Sequence, residues 1–137
     1  MKHKILIVSG DPNSINSEII YKTFKNLNAD TKRRIYIVSN FNLLNKQFKK
    51  LKLKINLTKV NNLNDSQLSK KLKIINIPLT FHDPFRVPLQ NASKFVIECL
   101  SLAHSLAIKN KLKGIINCPI DKILIKKTKK NGFTEFF

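Results

Sequence analysis

An α/β fold, with a largely parallel sheet flanked by helices, is predicted by three observations. Short runs rich in Ile and Val, bounded by Gly or Pro, recur along the chain. Between them lie stretches whose apolar residues repeat at helical spacing. The 137 residues are 42% hydrophobic, which suits one domain with a real core, and neither a linker nor an internal repeat breaks them. A single α/β unit over residues 1–137 is therefore expected.

The elements follow in order. Residues 4–9 form an apolar run stopped by Gly10-Asp11-Pro12, and this reads as a buried first strand. The run is too short for a signal-peptide core, so a cytoplasmic location is expected. Ser17 is positioned to cap a helix, Glu18 suits its first turn, and Ile20, Phe24 and Leu27 supply its apolar side. Residues 34–39 read as a second strand. Asn40 then caps a helix with Phe41, Leu44, Phe48 and Leu51 on one face. Leu53, Ile55 and Leu57 alternate with polar residues, which predicts a half-exposed strand. Residues 61–69 carry no clear signal. A short strand over residues 73–77 is stopped by Pro78, and residues 81–88, with Pro84 and Pro88, form a loop. Residues 91–110 are helical, with a stripe of Ala92, Phe95, Val96, Cys99, Leu102, Ala103 and Leu106; His104 falls beside it, on the helix surface. Residues 113–117 make the last strand, broken by Pro119. A short helix over residues 120–129 stops at Asn131-Gly132.

Lys and Arg number 26 against 8 Asp and Glu, a formal charge of +18. That balance raises the question of nucleic acid. Yet Lys, Ile and Asn, the residues of A/T-rich codons, make up 57 of the 137 positions, and only three residues are Arg. Readers of DNA and RNA place Arg where bidentate contacts matter. The lysines are thus expected to be mainly solvated surface, and nucleic acid is not the expected partner. No apolar run approaches the ~20 residues of a membrane span, so no membrane role is expected either.

Cys99 and Cys118 are too few for a disulfide framework and are expected to be free thiols. His3, His82 and His104 lack metal-ligand spacing, and no metal site is assigned. The sequence holds no GxGxxG, Walker loop, catalytic triad or HExxH, so no catalytic residue is assigned. Cys118 has no evident base to activate it as a nucleophile.

Ligands of open parallel sheets bind beyond the carboxyl ends of the strands. Three segments are candidates: Ser9-Gly10-Asp11-Pro12 after the first strand, Asn117-Cys118-Pro119-Ile120-Asp121-Lys122 after the last, and Gly132-Phe133-Thr134-Glu135 after the short helix. Asp11 also suits a turn, Lys122 a solvated surface, and Thr134 with Glu135 a helix cap and first-turn acid.

Together these segments resemble one family. Residues 9–19, SGDPNSINSEI, look like the GDPAGIGPEI motif that opens the 4-hydroxythreonine-4-phosphate dehydrogenases. Residues 116–122 look like the family's V-T-G/A-P-I-N-K motif, and residues 132–136 like its G-H-T-E-F motif. The resemblance runs through the whole chain but spans only the N-terminal portion of a family member. It implies an incomplete fold like that of isocitrate and isopropylmalate dehydrogenases. It also implies NAD- or NADP-dependent oxidation of 4-phosphooxy-threonine, a phosphorylated small-molecule substrate, on the way to pyridoxal phosphate. A divalent metal would polarise the alcohol, and a homodimer would carry sites near its interface.

In the family's G-H-T-E motif the His and Thr contact substrate. Here Thr134 keeps the Thr, whereas Phe133 stands at the His position and can make no hydrogen bond. Asp11, Asp121, Lys122 and Glu135 are the further pocket candidates. Ser14, Asn16 and Ser17 replace two glycines and a proline of the first motif; Asn tolerates unusual backbone angles, so the turn is expected to survive. The resemblance puts the metal-binding histidines and the nucleotide segment beyond position 137; His82 and His104 do not match them. The chain, which ends in Phe136-Phe137, thus reads as truncated, and alone it is expected not to turn over. The alternatives are a non-catalytic relative that binds an anion or a partner, and a small basic nucleic-acid binder.

Overall fold

The computed structural model describes residues 3–64 and 70–120. The strands are β1 (Ile5–Val8), β2 (Ile35–Ser39), β3 (Asn56–Lys59), β4 (Lys71–Asn76) and β5 (Ile116–Asn117). The helices are α1 (Asn16–Asn26), α2 (Ala29–Arg34), α3 (Phe41–Lys50) and α4 (Leu89–Lys109). The strands form one sheet of order β3-β4-β2-β1-β5, and every pairing is parallel. The predicted fold class is the observed one.

Two apolar layers hold the sheet. Leu6, Val8, Tyr36, Val38 and Ile75 face α4, which contributes Ala92, Phe95, Val96, Cys99, Leu100 and Ala103. On the other face, Ile35, Ile37, Leu72 and Ile74 meet Ile20 and Phe24 of α1 and Leu44 and Phe48 of α3. All five residues of β2 are buried because the strand is central and covered on both sides. Burial of this kind removes apolar surface from water at roughly 25 cal/mol per Å².

Several expectations shift. Ser17 does not cap α1: it is buried within the first turn, and its hydroxyl has no partner among the described residues. Ser14, just upstream, takes over the local work. Its hydroxyl accepts from the Asn16 amide at 3.2 Å and donates to the Asp11 carbonyl at 2.6 Å. Leu27 ends α1 in extended backbone instead of extending it. Residues 29–34 form α2, which has no buried residue and so no apolar stripe to read. Its start is fixed by Asn28, whose side chain accepts from the Thr31 amide at 2.8 Å.

Asn40 caps α3 as expected, accepting from the Leu43 amide at 2.9 Å. Its side-chain nitrogen also donates to the Ile77 carbonyl at 2.7 Å. The strand expected over Leu53, Ile55 and Leu57 begins later, at Asn56. Lys52 adopts a left-handed conformation (φ 56°) as the chain leaves α3, and Leu53 and Ile55 pack against the core before pairing begins. The last strand is only Ile116–Asn117, not 113–117. His104 is exposed on α4, as expected. Cys99 and Cys118 are both free and buried. The helix expected over 120–129 and its Asn131-Gly132 stop lie outside the described residues. Among the described residues, no helix is long and apolar enough to cross a membrane.

Candidate functional site

The sheet order reverses at β1. Its neighbour β2 is reached through α1 on one face, and its other neighbour, β5, through α4 on the opposite face. The crevice beyond the carboxyl ends of β1 and β5 is therefore the topological switch point, where such sheets bind ligands. The first candidate segment meets the described part of the second, residues 117–120, there. The Cys118 amide donates to the Val8 carbonyl at 2.9 Å, and the Asp11 amide to the Pro119 carbonyl at 3.5 Å.

Gly10 makes this approach possible. Its φ is +76°, a conformation that side chains disfavour. A Cβ there would lie 2.7 Å from the Pro119 oxygen, 2.8 Å from Asn16 Nδ2 and 2.9 Å from the Cys118 oxygen. Asn16 completes the junction, donating from Nδ2 to the carbonyls of Ser9 (3.0 Å) and Pro119 (2.7 Å). Asn16 was expected to matter for its tolerance of unusual backbone. Instead it lies within α1, outside the positive-φ region, and acts through its buried side chain.

Asp11 is the one pocket candidate that falls among the described residues. Its Oδ1 accepts from the Asn13 amide at 2.9 Å, an Asx turn, so the carboxylate is held within the loop that follows β1. An ionised carboxylate in that position accepts hydrogen bonds from a hydroxyl or ammonium group. Asp121, Lys122, Phe133, Thr134 and Glu135 lie outside the described residues. The first segment and the described part of the second thus come together.

Sequence reasoning missed two further residues that shape this end of the sheet. Asn13 pairs in both directions with Val87, donating to its carbonyl at 2.8 Å and accepting from its amide at 2.7 Å. Gln47, fully within the apolar surroundings of α3, donates to the carbonyls of Pro12 (2.8 Å) and Pro84 (2.7 Å). The available signal was Gln47 itself, an amide set between Leu44 and Phe48 on a buried helix face. Through these amides the 81–88 loop is fastened to the first loop.

That loop is also charged. Asp83 accepts from the Phe85 amide (2.9 Å) and pairs with Lys50 (3.4 Å). These contacts, the backbone hydrogen bond first, hold its carboxyl below the usual range. A concavity of about 560 Å³ beside it is lined by Lys46, Lys49, Lys50, His82, Asp83 and Pro84. Burial pushes the Cys118 thiol up, the opposite of what an activated nucleophile needs. Among the described residues, no three His, Cys, Asp or Glu side chains gather to hold a metal ion.

The fold defines a doubly wound, parallel α/β protein whose candidate site lies at its strand-end loops. The chain belongs to the family described as "Pyridoxal phosphate biosynthetic protein PdxA", whose family model matches residues 12–137. No curated protein matches it. Among solved structures, it is similar to a putative 4-hydroxythreonine-4-phosphate dehydrogenase from Salmonella typhimurium, with a TM-score of 0.77 and 20% identity over 94% of this chain and 41% of that one. A 4-hydroxythreonine-4-phosphate dehydrogenase from Klebsiella pneumoniae gives 0.78 and 21%, over 94% and 40%. One from Burkholderia phymatum gives 0.78 and 15%, over 92% and 39%. At these identities the likeness is one of fold. The chain spans about two-fifths of the length of these structures.

Proposed function

We propose that this chain is a substrate-binding α/β unit, residues 1–137, of an NAD(P)-dependent dehydrogenase acting on 4-phosphooxy-threonine in pyridoxal phosphate biosynthesis. The observation that carries the reading is the junction of the two motif loops through Gly10, Asn16 and Pro119, at the switch point of a sheet belonging to this family. In this reading Asp11, Asp121, Lys122 and Glu135 line the pocket, Thr134 touches substrate, and Phe133 occupies a position where the family has a polar contact. The ammonium and hydroxyl groups of the substrate suit Asp11, and its phosphate suits Lys122. A cytoplasmic homodimer belongs to the same reading. The described residues do not fit a divalent metal, and the reading routes no step through one.

Phe133 favours a second reading, in which the pocket binds an anionic metabolite without oxidising it, because a phenyl ring cannot replace a hydrogen-bonding imidazole. Calorimetric titration of the 137-residue chain with 4-phosphooxy-threonine tests the main reading. Binding that weakens at least about tenfold in Asp11→Asn and in Lys122→Gln supports it. Absence of binding at millimolar substrate removes it. NAD-dependent absorbance change at 340 nm separates a catalytic chain from a binding one.

A further inference from the structure

At the opposite end of the sheet from the crevice, four lysines from four separate stretches meet around one cavity. Lys25 lies in the last turn of α1, Lys32 in α2, Lys54 just before β3 and Lys70 just before β4. With Tyr21, Phe24 and Asn56 they line a concavity of about 250 Å³. Among the described residues, no acidic side chain lines it. None of the four lysines has an ion-pair partner among the described residues, whereas Lys22, Lys50 and Lys94 do. Two of the ammonium groups are held over aromatic faces: Lys25 lies 5.9 Å from the Tyr21 ring centre and Lys32 5.3 Å from that of Phe24. Tyr21 is itself set against Phe48, with ring centres 6.1 Å apart. The aromatic floor of the cavity is thus anchored in the core, while the lysines around it are at least partly exposed.

We propose that this cavity is a binding site for a small polyphosphorylated anion, a di- or triphosphate, separate from the crevice at the strand carboxyl ends. Converging lysines with no acidic partner among the described residues create a positive potential that a compact, multiply charged anion relieves most efficiently. Continuous nucleic acid needs an extended basic track along which successive bases stack, and this cavity offers one compact patch whose two rings, Tyr21 and Phe24, already lie under lysine ammonium groups. The site owes nothing to the substrate pocket, since its residues come from the amino ends of β3 and β4 and from the end of α1 remote from the β1–α1 loop.

The test is calorimetric titration of the full chain with inorganic tripolyphosphate at about 0.15 M salt, where long-range attraction is screened. Saturable binding with a Kd on the order of 10–100 µM is expected. The pair Lys32→Gln with Lys70→Gln should weaken it at least about tenfold. The pair Lys46→Gln with Lys49→Gln, in the other basic cavity, should leave it within about twofold. All four positions are at least partly exposed, so circular dichroism should find both variants folded. Equal loss in both pairs would assign the binding to the overall +18 charge and overturn the proposal. So would no binding at 1 mM tripolyphosphate, or tighter binding of a 20-nucleotide single-stranded RNA through the same lysines.

Discussion

Asn16 and Pro119, 103 positions apart in sequence, are joined by a 2.7 Å hydrogen bond from the side-chain amide to the backbone carbonyl. The same nitrogen donates to Ser9 at 3.0 Å. One buried side chain therefore fixes the exit of β1 against the exit of β5. Replacing it by Ala takes a donor from both carbonyls; Pro119 keeps the Asp11 amide at 3.5 Å, and a carbonyl left without a partner costs about 1–3 kcal/mol. Asn16→Ala should lower stability by roughly 1–3 kcal/mol in urea denaturation. Asn16→Asp should be at least as damaging, because a carboxylate would face two carbonyl oxygens. A wild-type midpoint in Asn16→Ala would show that the junction holds without this amide.

Gly10 and Gly114 make a matched contrast. Gly10 has φ +76° and three heavy atoms within 3 Å of any added Cβ, whereas a Cβ on Gly114 would meet nothing within 4 Å. Gly10→Ala should cost about 1–3 kcal/mol, with backbone strain adding to the collision with Pro119 and Asn16. Gly114→Ala should be close to neutral, or stabilising by up to about 1 kcal/mol through the unfolded chain. Thermal melts of the two variants side by side decide it; equal melting temperatures would contradict the account of the loop junction.

What the sequence reveals and what it hides have separable causes. β2 is legible because both faces are buried and its apolar run is unbroken, and α3 because Asn40 caps an amphipathic stripe. α2 is hidden because it buries nothing, so periodicity has no purchase on it. Asn13, Asn16 and Gln47 look like ordinary polar residues, yet each bonds a backbone group at least 35 positions away. Such partners are set by the folded topology, and no local pattern encodes them. In the crevice, the meeting of the two motif loops was expected from the resemblance, but the amide that fastens them was assigned a backbone role it does not have.

Lys73 is fully buried on β4, donating to the Arg33 carbonyl and lying 4.1 Å from the centre of the Tyr36 ring. Its hydrocarbon stem fills space against the α4 face while its ammonium group contacts the ring. Lys73→Ala removes both and should cost about 2–4 kcal/mol. Lys73→Met keeps most of the volume and should cost less than Lys73→Ala by at least about 1 kcal/mol. Chemical denaturation reads both. A neutral Lys73→Ala would mean that the stem is not packed as described.

The two thiols carry a prediction about pH. Cys99 lies against the sheet face covered by α4, where burial first, and then the charge of Glu98, raise its thiol well above the ordinary value of 9.0. Cys118, beside the crevice, is raised by burial alone. A raised thiol binds its proton more tightly folded than unfolded. The folded state therefore keeps its full stability below pH 9.0, and loses some as pH climbs from there through the folded-state values. Unfolding free energy should thus fall above pH 9, and a Cys99→Ala, Cys118→Ala chain should show a shallower fall. Both thiols should resist iodoacetamide in the folded protein at pH 8 and react promptly in urea, since the thiolate is the reactive species. Mass spectrometry distinguishes the two sites, and rapid native labelling at Cys118 would reveal an activated thiol at the crevice.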